Sequence, residues 1–396
     1  MDRFRVLSDL HMDVNRNFPF SIGDTGVFTV VAGDVSGYPY IFSSPGRSRP
    51  VKVEVENERK AYGFFNGSEY VKVVYDRGSG EWRWNGKPVL PESSGISVST
   101  YGETAEGDFF TLSIASPERW LRKNAPNGVL VAGNHLVYNR GGLSLEGLKK
   151  ELAGKFPPDA SMTFLDSSVG TVSKEVDGIL FVGSTLYTDY SYSPPSLRRM
   201  YGKGGGKDAG KLIVECNARN AVSYMNDFRF GMVEDGGKLR PLSPMDYLRY
   251  FRESISSIKE AVESEPDRDV VVVTHHCPSA GCISDKYVSS ETNASYVSDL
   301  EGFIVSHPNI RCWVCGHVHH RASFKVGGCR VVMNPLGYCR SGEYMGECGN
   351  GGAWTPDTFV DTRTWEVETV PFDLSEWDRK VKELLDAERN APFFMF

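Results

Sequence analysis

Five short segments carry side chains suited to metal-assisted chemistry: Asp9-Leu10-His11, Gly33-Asp34, Gly133-Asn134-His135, Thr274-His275-His276 and Gly316-His317-Val318-His319. Together they offer two carboxylates, one amide oxygen and four imidazoles as candidate ligands, with His135 as a further histidine. A lone Asp-x-His or Gly-Asp arises by chance in many chains. The ordered set is far more specific. Of the eight histidines, seven fall in these clusters or beside them (His11, His135, His275, His276, His317, His319 and His320), and only His307 stands apart. Histidines used for packing or solvation do not bunch in this way.

These residue types suit hydrolysis of a phosphate ester. That reaction needs a nucleophile at neutral pH and a sink for charge on the phosphoryl oxygens. Two divalent ions held about 3.5–4 Å apart supply both. A carboxylate serving both ions would hold such a pair together, and Asp34 is the candidate. Two ions bring about +4 and two carboxylates −2, which leaves roughly +2 to attract a phosphate dianion. More carboxylates would cancel that field, so imidazole and amide ligands fit the task. Such a donor set suits two divalent transition-metal ions such as manganese, iron, zinc, cobalt or nickel.

The elements that must position these groups can be read from hydrophobic runs. Arg5-Val6-Leu7, Val27 to Val31, Val129-Leu130-Val131, Ile179 to Val182, Val270 to Val273 and Cys312-Trp313-Val314 are short, apolar and largely β-branched. They read as strands buried on both faces. Residues 116–124, opened by Ser116-Pro117-Glu118, suit a helix with Pro at its first position, and 144–153, 244–264 and 297–305 also suit helices. Strands alternating with helices indicate an α/β layered domain whose ligands gather at the carboxyl ends of the strands. Every histidine cluster falls at such an end.

Residues 38–110 break this rhythm. Val51, Val53 and Val55 alternate with Lys52, Glu54 and Glu56, Trp82 and Trp84 alternate with Glu81 and Arg83, and Asn66-Gly67 and Asn85-Gly86 are hairpin dipeptides. This predicts a small antiparallel β insertion. Its many aromatics read first as the core of a small sheet and second as a substrate-recognition surface. Gly-Lys-Gly-Gly-Gly-Lys-Asp-Ala-Gly at 202–210 lacks the spacing of a phosphate-binding loop and reads as a flexible connection. Leu374, Trp377, Val381 and Leu384 share one helical face that would dock on the body, and the Pro392–Phe396 tail offers further packing or a contact in a homo-oligomer. The expected organisation is 1–37 with 111–372 as one discontinuous catalytic domain, 38–110 inserted, and 373–396 as a C-terminal helix and tail.

A chain of 396 residues can bury a core without staples. Its net charge of −7 disfavours a nucleic-acid partner, because grooves that track phosphates need clustered Lys and Arg. No run of 18 apolar residues and no signal-peptide pattern occurs, so no membrane partner and a cytoplasmic location are expected. The eight cysteines read as reduced thiols.

The ordered string of five segments resembles the calcineurin-like metallophosphoesterase superfamily across most of the chain outside 38–110 and the C-terminal end. The resemblance implies an α/β fold, a β-sandwich of two mixed sheets flanked by helices, with metals at the strand ends. Carried over by position, one metal would take Asp9, His11, Asp34 and His319, and the other Asp34, Asn134, His275 and His317. His135 would contact the phosphate and protonate the leaving oxygen. The implied reaction is in-line attack of a metal-bridging hydroxide on a phosphorylated substrate, read here as a small molecule, with no covalent intermediate. Gly183 to Asp189, Met225-Asn226-Asp227-Phe228, Val297 to Leu300 and Asn334-Pro335-Leu336-Gly337-Tyr338 resemble a bacterial and phage subgroup of predicted phosphohydrolases.

The departures bear on activity. Protein phosphatases of the superfamily carry Gly-Asp-x-x-Asp-Arg-Gly and Gly-Asn-His-Glu, where this chain has Gly33-Asp34-Val35-Ser36-Gly37-Tyr38 and Gly133-Asn134-His135-Leu136. The phosphate-gripping arginine and the carboxylate that orients the histidine are both missing, which argues against protein phosphatase activity. A backbone carbonyl is one substitute for that carboxylate. His276 and His320 adjoin ligands, but neighbours on extended backbone point to opposite sides, so each reads as packing before it reads as a phosphate or ligand contact. Asp13 reads equally as a solvated turn residue and as a hydrogen-bond partner of His11. Cys312-Trp313-Val314-Cys315 has CxxC spacing without a second pair for a structural zinc. The alternatives are a phosphodiesterase or nuclease of the same superfamily, a binding protein that has lost catalysis, and a partner-recruiting protein with secondary phosphatase activity.

Overall fold

The β-branched runs assemble into two six-stranded mixed sheets. The first runs, in order, Met162–Phe164, Gly128–Val131, Thr29–Ala32, Arg3–Leu7, Thr358–Asp361 and Val367–Thr369. Its first four strands are parallel and the last two antiparallel. The second runs Ser173–Val176, Ile179–Ser184, Val270–Thr274, Ile310–Cys315, Cys329–Met333 and Ala322–Val326, with four parallel strands between antiparallel edges. This computed structural model describes residues 1–35 except 13, 16–21 and 24; the strands between 41 and 115, as backbone; 117–138; 144–193; 209–346; and 351–382 except 376 and 380.

Strand alternation explains why these runs are apolar throughout. Phe4, Val6, Val30, Ala32, Val129 and Val131 meet Phe181, Val271, Val273, Cys312 and Val314 in the core between the sheets. Their neighbours point outward: Leu7, Val31 and Leu130 meet one helical layer, and Val270, Val272, Trp313 and Cys315 meet the other. One face of each sheet is therefore covered by the opposite sheet and the other by helices, the α/β sandwich that the resemblance implied. The same parity decides the CxxC spacing. Three residues apart on one strand, Cys312 faces the inter-sheet core and Cys315 the helical side, so the pair cannot share a metal.

The helices follow their sequence signals with instructive exceptions. Pro244–Ser264 opens at Ser243, whose backbone N–H is accepted by Asp246 Oδ2 at 2.9 Å, and it buries Tyr247, Phe251, Ser254, Ile258 and Val262 along one stripe. The expected helix over 297–305 starts later, at Glu301. Val297 and Ser298 pair instead with Cys277, through Ser298 N–H to Cys277 O at 3.0 Å, and so tie down the loop that follows His276. His307, the remaining histidine, is half-buried, with Nδ1 2.8 Å from Phe303 O and Nε2 3.2 Å from Glu263.

Among the described residues of the insertion, Pro50–Glu56, Arg59–Phe65, Tyr70–Asp76, Glu81–Trp84 and Lys87–Val89 form an antiparallel five-stranded sheet. Ile41–Ser43, Ile96–Tyr101 and Phe110–Ala115 form a separate antiparallel one. Leu374, Trp377 and Val381 are buried as expected, with Trp377 stacked on Trp354 at 5.7 Å, while Leu384 and the 392–396 tail lie outside the described residues. So do residues 202–208; Ala209 and Gly210 open the helix Ala209–Tyr224. No helix among the described residues is long and apolar enough to cross a membrane.

A buried ion pair supports the strand ends. Lys149 Nζ lies 2.8 Å from Asp166 Oδ2, both almost fully enclosed. Burial alone would raise the Asp166 pKa, but Lys149 and the Ser168 hydrogen bonds hold it below the usual carboxylate range. The same carboxylate accepts from Thr185 Oγ1 at 3.4 Å, and the Thr185 carbonyl receives the backbone N–H of His275 and of His276. Removing the lysine strands a buried charge. Lys149→Met should therefore lose about 3–5 kcal/mol of stability in denaturant unfolding at neutral pH. The pair's contribution is present above the unfolded carboxylate pKa of about 3.9 and is lost as pH falls through the lower folded value. A variant as stable as the parent at pH 7 would refute this role.

Candidate metal centre

Each chemistry-bearing segment follows the carboxyl end of a parallel strand. Asp9 and His11 follow Arg3–Leu7, Asp34 follows Thr29–Ala32, and Asn134 with His135 follow Gly128–Val131. From the second sheet, His275 follows Val270–Thr274, and His317 and His319 follow Ile310–Cys315. The site thus lies across one edge of the sandwich, with both sheets contributing.

The backbone at this edge is unusual. Asp9, His11, Asp34, His317 and His319 all adopt positive φ, between 45° and 70°. Such conformations cost of order 1–3 kcal/mol each and persist only when surrounding contacts enforce them. Here the loops enforce one another. Asp9 N–H donates to Gly33 O at 3.1 Å, His11 N–H to Asp34 O at 2.8 Å, and Gly316 N–H to His275 O at 3.0 Å. Glycines allow the close approach. A Cβ on Gly133 would lie 1.9 Å from Asp34 Oδ1, and one on Gly316 2.4 Å from Asp9 Oδ2.

The structure brings the seven expected ligands together. Asp9, His11 and His319 form one group, buried except for the half-buried His319: the Nε2 atoms of His11 and His319 approach to 2.8 Å, and His319 Nε2 lies 3.5 Å from Asp9 Oδ1. Asp34, His275 and His317 form a second, with Asp34 Oδ2 3.2 Å from His275 Nε2, which in turn lies 3.0 Å from Asn134 Oδ1. Asp34 also reaches the first group, its Oδ2 3.8 Å from His11 Nε2. His135 packs against His11 with ring centroids 4.3 Å apart, and its backbone N–H donates to Asp34 Oδ1 at 2.9 Å.

The electrostatics favour cations. Burial opposes charge on His275 and His319. The Asp34 carboxylate nevertheless raises the His275 pKa to about 9, and Asp9 with Glu343 raises that of His319 to about 10. Burial and neighbouring imidazoles push His11 and His317 well below the usual histidine range. Burial would raise the Asp34 pKa, but His275, His135 and His11 hold it well below. Two carboxylates thus collect positive charge in a dry pocket. Asp9 Oδ2 and His317 Nε2 are buried without a hydrogen-bond partner in the protein. Ring nitrogens crowded at 2.8 Å, orphaned donor atoms and a mixed carboxylate, amide and imidazole set fit divalent transition metals.

Four residues of the site carried no role in the sequence reading. Glu343 Oε2 lies 2.8 Å from His319 Nδ1 and orients that ring. Tyr338 places its hydroxyl 3.2 Å from His135 Nε2. Tyr138 lies against the His135 ring at 4.1 Å, and its hydroxyl donates to buried Asp227 at 2.9 Å. Burial raises the Asp227 pKa despite hydrogen bonds from Tyr247, Tyr138 and Asn134. Tyr338 and Asp227 sit in stretches noted above for their resemblance alone. Glu343 left no local signal.

The remaining expected residues sit further out. His276 is fully buried against His317 at 4.3 Å, with Nδ1 3.4 Å from Thr185 O. His320 is half-buried. Asp13 lies outside the described residues. Cys277, Cys282 and Cys315 gather behind the site, but Cys277 directs its thiol to Gly316 O at 3.1 Å, and all three pack in the apolar core on the helical side. They serve there as small apolar side chains.

No protein-family model matches the chain. It is similar to Uncharacterized protein L509 of Acanthamoeba polyphaga mimivirus, with 24% identity over 220 residues, spanning 52% of this chain and 67% of the viral one. Among solved structures it is similar to the phosphopantetheinyl hydrolase PptH of Mycobacterium tuberculosis, with a TM-score of 0.46 and 14% identity over 94% of this chain and 97% of that one. A Staphylococcus aureus protein described as a 5'-nucleotidase aligns with a TM-score of 0.28 and 15% identity, over 65% of this chain and 41% of its own length.

Proposed function

We propose that the chain is a metal-dependent phosphoesterase that hydrolyses a small phosphorylated molecule with a pair of divalent transition-metal ions. The observation that carries this reading is the convergence of two buried donor groups on one carboxylate, Asp34, with His135 beside both. Asp9, His11, Asp34 and His319 would hold one ion, and Asp34, Asn134, His275 and His317 the other. When bound, the ions supply a nucleophile at neutral pH and draw charge from the phosphoryl oxygens. The net charge of −7 supports a small substrate over a nucleic acid. The described cysteines are free thiols, which fits a reducing cytoplasm.

The chain's own residues then divide the remaining work. His135, fixed by its backbone bond to Asp34 and by the Tyr138 ring, acts as general acid toward the leaving oxygen. Tyr138, held through its hydroxyl by Asp227, takes the orienting place of the missing family carboxylate by packing against the ring. Glu343 fixes the His319 ring by accepting from Nδ1, which leaves Nε2 free to act as a donor atom.

A screen of metal-reconstituted protein against phosphomonoesters and phosphodiesters tests the reading. Turnover should appear with at least one of manganese, iron, zinc, cobalt or nickel and vanish on chelation. Inactivity with all five would sink it. Asp34→Asn should abolish turnover and lower bound metal in elemental analysis; two ions per chain with parental turnover would remove Asp34 from its shared role. His135→Asn should retain metal and slow alkyl esters by about 100- to 10,000-fold, with a much smaller effect on nitrophenyl esters. Equal slowing of both would reduce His135 to a phosphate contact. Glu343→Gln should weaken metal binding by about 10- to 100-fold in a chelator competition, and unchanged affinity would count against its orienting role.

A further inference from the structure

His135 is buried, with only 5% of its surface exposed, whereas a leaving group must depart toward solvent. Its Nε2 faces the hydroxyl of Tyr338 at 3.2 Å, and Tyr338 is the more exposed of the two. The tyrosine ring leans on two further imidazoles of the centre, His11 and His319, each with centroids 4.7 Å away. Its backbone is tied to the same groups. Gly337 N–H donates to Asp9 O at 3.0 Å, and Tyr338 N–H donates to Glu343 Oε2 at 2.6 Å, the carboxylate that also holds His319. Gly337 is required there: it has φ of +77°, and a Cβ would lie 2.3 Å from Glu343 Oε2. A side chain anchored this way is set by the site rather than by the core.

We propose that Tyr338 is a catalytic residue, the last link in the proton path from His135 to the leaving oxygen. This rests on the phosphoesterase reading. As the bond from phosphorus to the leaving oxygen breaks, its electron pair stays on that oxygen. The Tyr338 O–H proton moves onto the oxygen while the His135 Nε2–H proton moves onto the tyrosine oxygen. Tyr338 ends neutral and His135 passes from imidazolium to imidazole; water supplies the new oxygen on phosphorus, and the proton it releases returns His135 to its starting state.

Tyr338→Phe keeps the ring and removes only the hydroxyl. It should retain the parental metal content and melting temperature, yet slow alkyl phosphates at least about 100-fold more than nitrophenyl phosphates. Combined with His135→Asn it should add little further slowing, because the two residues act as one unit. The parent chain supplies a measurement that no folding failure can spoil: turnover of an alkyl ester in mixtures of light and heavy water. A relay moves two protons together and gives a curved dependence, while direct transfer from His135 gives a straight line. A straight line, equal slowing of both ester classes, or additive effects in the double variant would each overturn the relay with the phosphoesterase reading intact. A parent chain inert toward every ester with all five metals would remove that reading and the relay with it.

Discussion

A single buried carboxylate organises this molecule. Asp34 Oδ1 accepts the His135 backbone N–H, Oδ2 faces His275 and His11, and its own carbonyl receives the His11 N–H. Burying a carboxylate without compensation is prohibitive, so the imidazoles and N–H groups around it are a condition of its being there at all. Those partners come from three strand ends in two sheets. The sandwich is therefore the scaffold that lets one charge be met from several directions, and the glycine at 133 exists to clear its approach.

The second constraint is backbone geometry. A left-handed residue two positions past a strand turns the chain sharply. Repeating that turn at Asp9, Asp34 and His317 aims three segments at one point. The conformations are held by hydrogen bonds between loops as well as within them, which makes the edge a mutually supporting unit. Rigidity of this sort is what pre-organised chemistry requires.

Much of this was legible in the sequence, for identifiable reasons. Doubly buried parallel strands leave continuous apolar runs, so Val270–Thr274 and Ile310–Cys315 were visible at once, and the polar residues after them marked the edge. Edge strands such as Ser173–Val176 and Ala322–Val326 alternate exposed and covered positions among charged residues, and no apolar run betrayed them. The hairpin Met232–Asp235 with Lys238–Pro241 escaped for the same reason. In the site, side chains that meet the centre directly were found by type and order. Glu343, Tyr138 and Tyr338 act through ring packing and single hydrogen bonds between segments up to about two hundred residues apart, as with Tyr338 and His135. Local pattern holds no trace of such pairings. The shortened helix at Glu301 has a similar cause: tertiary pairing with Cys277 outweighed the helical propensity of Val297 and Ser298.

The order in which the site's parts occur along the chain has a consequence for biosynthesis. Asp9 and His11 leave the ribosome some three hundred residues before His317, His319 and Tyr338. Until then the central strand Arg3–Leu7 lacks its antiparallel neighbour Thr358–Asp361, although Gly33 O and Asp34 O already stand ready for the Asp9 and His11 N–H groups. Both donor groups are completed by this late segment, His319 joining Asp9 and His11, and His317 joining Asp34 and His275.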